Sequence, residues 1–278
     1  MKKKLFPLLL CSLLHGVGIK AQIVAAPEGK TMIEAEAEYR GTKNVDDAVD
    51  GNMYAHLYAS HNFLYSDEQK LGLEGRYEYN NSDLHYFRLA AKGSKSFKMS
   101  NGRPIIVNAN IYGEASNHGV EYFDGHIMGA YMYQMTRTQQ QGVGIVALLH
   151  NPSGVPCVPI YFFNKTFDTH WSFNFLTYLA SLNYDFNSKV RLSGGYAMSS
   201  QRYWVESDGT VSMVNRALFT PQVAFRWKPL TYVSFIVSAG CRVTMTDDVY
   251  TRHGGDKVYE CKKGAVPFIL ARAVVNVK

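Results

Sequence analysis

The sequence has no long hydrophobic run after its first residues. A transmembrane helix needs about 18 or more consecutive apolar residues, and the longest apolar segment beyond residue 21 is the short stretch 142–149. This absence excludes a protein that crosses a membrane with helices. Any membrane association of the mature chain would have to come from strands.

Cysteine is also scarce, with four residues in 278. Cys11 lies in the leader, which leaves Cys157, Cys241 and Cys261. An odd number of widely spaced cysteines is not a disulfide framework. Cys241 and Cys261 would pair only if their strands are neighbours, and that alternative stays open.

Net charge is small once the leader is set aside. Lys2, Lys3 and Lys4 precede a mostly apolar segment, which predicts a signal peptide over residues 1–21 with cleavage after Ala21. Four of the 29 basic residues lie in this segment, so 25 basic residues face 23 acidic ones in the mature chain. A net charge of +2 does not favour nucleic acid as a partner.

The mature chain instead shows apolar and polar residues in strict alternation. Within 233–245 one parity is wholly apolar and the other is mostly small, polar or charged. Successive side chains of a strand point to opposite faces, so this pattern is typical of strands of a transmembrane β-barrel. After a lead-in at 22–29, residues 30–278 are therefore predicted to form one closed, antiparallel, all-β outer-membrane barrel.

Turn signals divide this region into 12 to 14 predicted strands. The segments are 30–41, 51–65, 69–80, 83–98, 103–114, 119–136, 140–149, 155–166, 169–178, 180–187, 189–205, 211–227, 231–247 and 257–278. In the last of them two parities compete for the lipid face. Arg272 shares its parity with Val266, Phe268 and Leu270, which favours the other set as lipid-facing: Ala265, Pro267, Ile269, Ala271 and Ala273.

The polar parity then lines the lumen, and its charges segregate along the chain. The predicted lumen-lining charged residues are Glu34, Glu36, Glu38, Glu74, Glu78, Arg191, Arg226, Arg242 and Arg272. Closure places Arg272 near Glu34, Glu36 or Glu38. Two interpretations compete: buried ion pairs that fill a narrow lumen, or an arginine wall of Arg226, Arg242 and Arg272 that sets a transverse field for passing solutes.

Catalytic motifs are sparse. Asp124 with His126, and Asp168 with His170, each place an acid and a histidine on one predicted strand face, as a hydrolase at the barrel rim would need. Because such a spacing is common by chance, a rim hydrolase is the least favoured function. No motif predicts a metal site or a cofactor, and we expect none.

The chain resembles the uncharacterised outer-membrane β-barrel families of Bacteroidetes-type Gram-negative bacteria. The resemblance lies in a leader that ends Ala21-Gln22, in the segments 158–161 and 171–175, and in 182–187 followed by a strand with 194–196. It implies an outer-membrane location and offers no catalytic residue. The chain departs from many such barrels because it ends Asn276-Val277-Lys278 and not in an aromatic residue.

The sequence thus predicts a porin-like barrel that passes small solutes through a charged lumen, with outer-membrane lipid and the barrel assembly machinery as partners. The alternative is a non-transporting barrel that acts as a scaffold or binds a partner through its loops. The longest candidate loops are 42–50 and 248–256.

Overall fold

A computed structural model describes residues 30–41, 53–66, 68–80, 84–117, 119–149, 157–207, 210–251, 257–260 and 264–277. The predicted signal peptide, the lead-in at 22–29, the loop 42–50 and Cys261 lie outside these residues. The strands are β1 (Thr31–Arg40), β2 (Met53–Tyr65), β3 (Gln69–Asn80), β4 (Leu84–Lys98), β5 (Pro104–Ser116), β6 (Gly119–Met135), β7 (Gln139–Leu148), β8 (Cys157–Thr166), β9 (Trp171–Leu176), β10 (Leu179–Asp185), β11 (Val190–Ser207), β12 (Thr210–Leu230), β13 (Val233–Thr251), β14 (Lys257–Glu260) and β15 (Ala265–Val277).

Fourteen of these strands form a closed antiparallel barrel, which confirms the predicted fold class. Strands β1 to β13 follow one another around the barrel in chain order, and β15 lies between β13 and β1. At the seam Thr31 is opposite Val277, and Val233 is opposite Val275. Closure removes the free sheet edges that an open sheet would expose.

The prediction of one strand over 257–278 is wrong in its first part. Residues Lys257–Glu260 form the short strand β14. Among the described residues it pairs with the last part of β13, at 248–250. The barrel strand β15 begins at Ala265, opposite Val243. Because β13 continues to Thr251, it extends beyond the barrel wall and carries β14 as a hairpin partner.

The two strand parities separate as predicted. On β1 the side chains of Glu34, Glu36 and Glu38 are 8%, 5% and 1% exposed, while Ala35 and Ala37 between them are exposed. The outward face is rich in exposed apolar side chains such as Leu89, Phe123 and Ile145, which are 67%, 69% and 55% exposed.

The same separation on β15 shows which of its two sets of alternating residues faces outward. Pro267 and Ile269 are exposed, whereas Phe268, Leu270 and Arg272 are buried, as predicted. No helix among the described residues is long and apolar enough to span a membrane.

The start of β1 and the end of β15 lie beside each other at one end of the barrel, which we call the terminal end. An even number of strands requires this arrangement. Short connections lie at this end at 99–103, 136–138, 167–170, 186–189 and 231–232. In the connection 99–103 the Gly102 φ angle is 76°, a left-handed conformation that favours glycine.

Candidate functional site

The acidic side chains of β1 meet the closing strand inside the barrel. Glu36 is directly opposite both Arg272 of β15 and His56 of β2. Arg272 Nη1 is 3.6 Å from Glu34 Oε2, and Arg272 Nε is 3.8 Å from Glu36 Oε2. The predicted approach of Arg272 to the β1 acids is therefore confirmed.

His56 adds a fourth ionisable group to this cluster. Its Nδ1 atom lies 3.6 Å from Glu34 Oε1 and 3.9 Å from Glu36 Oε1. Glu34, Glu36 and His56 could together offer ligand atoms to a metal ion, since these atoms lie within 4.8 Å of one another. However, the Arg272 guanidinium lies beside the same carboxylates, and its charge opposes a dication there.

Glu38 anchors a second cluster nearer the end opposite to the terminal end. Arg242 Nε donates to Glu38 Oε1 at 2.7 Å and its Nη2 donates to Oε2, so the pair is bidentate. Arg40 Nε donates to the same Oε1 at 2.6 Å. The Arg242 guanidinium also lies over the Phe268 ring, 5.0 Å from its centroid.

Glu74 and Glu78 belong to separate pairs on β3. Tyr58 donates its hydroxyl hydrogen to Glu74 at 2.9 Å, and Lys92 Nζ lies 3.5 Å from the same carboxylate. Glu78 forms an ion pair with Arg76 on its own strand. Each acid of β3 is therefore matched by a nearby cation.

Arg191 and Arg226 lie side by side toward the terminal end. Arg191 donates twice to the Asp185 carboxylate, at 2.6 Å in each case. The Nε atom of Arg226 is buried and has no hydrogen-bond partner among the described residues. Arg226 thus adds a positive charge beside a pair that is already neutral.

The predicted arginine wall is therefore interrupted. Ile236 of β13 is opposite both Arg226 and Arg272 and separates them, while Arg242 turns to Glu38. The reason is that closure brings acids within reach of two of the three arginines. The described interior contains separate local ion pairs, and not one basic surface.

Sequence reasoning missed the pair of Arg88 on β4 with Glu114 on β5. The Arg88 guanidinium also lies 4.4 Å from the centroid of the Tyr112 ring. Both charged residues occupy the inward parity of their strands, as the buried Tyr86 and Tyr112 beside them do. Reading the parity of β4 and β5 would have found them.

A central cavity of about 600 Å³ lies inside the barrel. Its lining includes Glu34, His56, Glu74, Arg76 and Arg88 from the charged strands β1 to β4. Strands β6 to β9 line its other side with mostly apolar residues, namely Met128, Ala130, Val146, Ile160, Phe162 and Leu176.

The family model described as "Domain of unknown function (DUF6268)" matches residues 74–263, about two thirds of the chain. The chain belongs to the DUF6268 family. The matched region runs from β3 to β14 and contains Glu74, Glu78, Arg191, Arg226 and Arg242, whereas the acids of β1 and Arg272 lie outside it.

Among curated proteins, no similar sequence was found. Several solved structures resemble the barrel. The KdgM porin in complex with disordered oligogalacturonate has 10% identity and a TM-score of 0.43, over 89% of this chain and 99% of that chain. A FadL homologue of Pseudomonas aeruginosa has 8% identity and a TM-score of 0.45, over 89% and 90%. The COG4313 outer membrane channel of Pseudomonas putida F1 has 11% identity and a TM-score of 0.43, over 90% and 97%.

The two Asp–His pairs have structural roles in this family member. Asp124 is 1% exposed; its Oδ1 accepts the Gly125 N–H at 2.7 Å, and its Oδ2 accepts the Tyr112 hydroxyl at 3.3 Å. Asp168 lies in the turn before β9, not on a strand, and its Oδ1 accepts the backbone N–H groups of His170 and Trp171 at 2.7 Å each. Both carboxylates therefore accept hydrogen bonds from neighbouring groups of the chain.

Proposed function

We propose that this chain forms a channel in the outer membrane that passes small solutes through a charged lumen. The observation that carries the proposal is a cavity of about 600 Å³ inside a closed barrel whose outward face is apolar and exposed. A cavity bordered by Glu34, Glu74 and Arg88 offers polar solutes partial replacement of their hydration.

The outward face supports the membrane location. Soluble proteins rarely expose continuous apolar surfaces larger than a few hundred Å². Here such side chains recur on strand after strand around the barrel, including Leu57, Leu89, Phe123, Ile145 and Val223. Lipid as the surrounding solvent accounts for this surface. Export by the signal peptide at 1–21 and insertion by the barrel assembly machinery would bring the chain to this membrane.

A second cavity supports a path into the lumen. It has a volume of about 490 Å³ and includes Lys70 and Glu68 near the terminal end. It shares Ile106, Asn110 and His126 with the central cavity. Because outer-membrane barrels have short periplasmic turns, the terminal end with its short connections would face the periplasm, and this cavity would be the periplasmic entrance.

The alternative is a barrel that does not transport and acts as a scaffold or loop-mediated binding protein. The specific observation in its favour is the cluster of Glu38, Arg40 and Arg242, whose hydrogen bonds connect inward side chains of β1 and β13. Such a cluster would narrow a path toward the end opposite to the terminal end. Flux measurements separate the two functions.

Solute flux into liposomes tests the channel directly. Folded mature protein would be reconstituted, and swelling rates compared for arabinose, glucose and raffinose. We expect uptake that falls with solute size, because the path is a narrow lumen. Heat-unfolded protein at the same ratio to lipid is the control. Swelling no faster than with this control for every sugar would favour the scaffold.

A further inference from the structure

The central cavity has two chemically different walls. Strands β1 to β5 contribute charged and amide side chains, among them Glu34, Arg88 and Asn108. Strands β6 to β9 contribute an apolar wall, which we define as Met128, Val146, Ile160, Phe162 and Leu176. The inward face of a barrel that carries only water and ions is polar, so this apolar wall requires another explanation.

Four of the five residues of the apolar wall pack in one cluster. Val146 and Ile160 belong to one buried cluster, against which Met128 and Phe162 pack. Two glycines on the inward face of β7 have no side chain and leave room for the side chains of β8. Gly144 is opposite Ile160, and Gly142 is opposite Phe162. Apolar surface of this kind holds water poorly, and a solute with an apolar group would replace that water favourably.

The lining of the same cavity includes buried polar atoms without a hydrogen-bond partner among the described residues, and two of them lie on facing residues. Asn110 of β5 and His126 of β6 are directly opposite each other, and both line the cavity. Asn110 Oδ1 and His126 Nδ1 are buried, and neither has a hydrogen-bond partner among the described residues. Buried polar atoms are normally paired, so this pair of atoms indicates a place for a hydrogen-bonding ligand or water.

Three ion pairs compensate charges on or beside the polar wall, which is the part of the lining that β1 to β5 contribute. Arg88 pairs with Glu114, Arg76 pairs with Glu78, and Lys92 lies 3.5 Å from Glu74. A charged solute would find no unmatched counter-ion in these three pairs and would lose its hydration. Around these three pairs the polar wall therefore favours an uncharged hydrogen-bonding group over an ionic one.

We propose that the central cavity is a binding site for an uncharged amphipathic solute. Its aromatic or branched aliphatic part would lie against the apolar wall, and its hydroxyl or amide groups would hydrogen-bond to Asn110 and His126. The cavity volume of about 600 Å³ is that of small-molecule sites, which span roughly 300–1,000 Å³. This inference rests on the proposed channel function, because it names the class of solute for the same lumen.

Calorimetric titration of the folded mature protein tests the site. The probe is 4-nitrophenyl glucoside, compared with glucose, which lacks the ring, and with 4-nitrobenzoate, which replaces the sugar with a negative charge. Titration into protein-free micelles is subtracted. We expect the glycoside to bind at least tenfold more tightly than either comparison compound. Equal affinity for glucose, or tighter binding of 4-nitrobenzoate, would overturn the proposal.

Variants locate the bound probe. Ile160→Asn on the apolar wall and Asn110→Leu on the polar side should each weaken glycoside binding about tenfold, the effect of one lost interaction of this size. Ile127→Ala is the matched control, because Ile127 adjoins His126 but points outward and is 48% exposed. If Ile160→Asn does not fold, Leu176→Thr takes its place. Unchanged affinity in the wall variants would place the probe elsewhere and refute the site.

Conductance of the same preparation separates this inference from the channel proposal. Current steps without glycoside binding would refute the amphipathic site alone. Glycoside binding that the variants weaken, without any current, would refute the open channel and leave a ligand site in a closed barrel.

Discussion

Arg242 and Glu38 form a bidentate ion pair although their strands do not touch each other. Arg242 lies on β13 and Glu38 on β1, and β15 runs between these strands. The pair therefore joins both sides of the closing seam, 204 residues apart in the sequence. Arg40 donates to the same carboxylate, so Glu38 is the shared acceptor of two arginines.

This sharing predicts that the two partners are not equally important for stability. Glu38→Gln leaves two arginines facing each other in the interior, and we expect a loss of about 3 kcal/mol of unfolding free energy. Arg242→Gln leaves the contact of Glu38 with Arg40 and should cost about 1 kcal/mol. Urea unfolding in lipid vesicles measures both variants.

The exposed turn residue Arg137 supplies the control for that experiment. Arg137→Gln removes the same kind of charge outside the barrel interior and should change the unfolding free energy by less than about 0.5 kcal/mol. Equal losses for Glu38→Gln and Arg242→Gln would contradict the shared-acceptor account.

Arg226 should influence ion selectivity because its charge lies beside the neutral pair of Arg191 and Asp185. Arg226→Gln is expected to change the chloride-to-potassium permeability ratio about twofold toward cations, the effect on two ions of opposite sign of one charge roughly 8 Å away in water that contains about 0.1 M salt. The charge-neutral double variant Asp185→Asn/Arg191→Gln should leave the ratio nearly unchanged. Reversal potentials in a salt gradient give both values, and identical ratios in Arg226→Gln and the wild type would exclude Arg226 from the path.

Gly142 should control the width of the central cavity. A Cβ atom at Gly142 would clash with the Phe162 ring and lie 2.8 Å from Met132 Sδ. Because a ring can rotate, we expect Gly142→Ala to fold with a loss of about 1 kcal/mol and to push Phe162 into the lumen. Slower solute flux in liposomes is the predicted result.

Two other glycines serve as comparisons for Gly142. A Cβ at Gly129 meets no atom within 4 Å, so Gly129→Ala should behave as the wild type. A Cβ at Gly144 would meet the backbone carbonyl of Gly129, which cannot move aside, so Gly144→Ala should lower the yield of folded barrel. Normal flux in Gly142→Ala would show that Phe162 does not border the path.

Asp168 should make the turn before β9 sensitive to acid. The backbone N–H groups of Trp171 and His170 donate to its carboxylate and hold the pKa of Asp168 below its usual range. Because the pKa of Asp168 is lower in the folded state than in the unfolded state, its ionised carboxylate stabilises the turn fully at pH values above the unfolded-state pKa. This stabilisation is lost as the pH falls through the folded-state pKa. Hydrogen-exchange protection of the Trp171 amide should therefore decline below about pH 4.

The turn before β11 provides an internal comparison. Asn187 Oδ1 accepts the N–H groups of Lys189 and Val190 at 2.8 and 3.0 Å, with an amide in place of a carboxylate. Protection of Val190 should not depend on pH in this range. In Asp168→Ala the Trp171 amide should be poorly protected at every pH, and unchanged protection there would refute the role of the carboxylate.

Much of the barrel was accessible from the sequence because a strand's parity depends only on local alternation. The fourteen predicted segments correspond to the fourteen barrel strands, and Arg272 marks the inward parity of β15 as expected. Closure alone placed Arg272 near Glu36.

Other features required three-dimensional detail. The contact of Arg242 with Glu38 spans an intervening strand, and its reach depends on strand stagger and side-chain length. The division of the lumen into the polar wall and the apolar wall depends on which inward strand faces lie opposite each other across the barrel. The membrane location and the conducting state stay predictions.

Single-channel recording in a planar bilayer tests the central claim most directly. The sample would be mature protein that shows the heat-dependent gel shift of a folded barrel. The account predicts discrete current steps that become smaller in Gly142→Ala. Silent bilayers containing demonstrably folded and inserted protein would contradict an open channel.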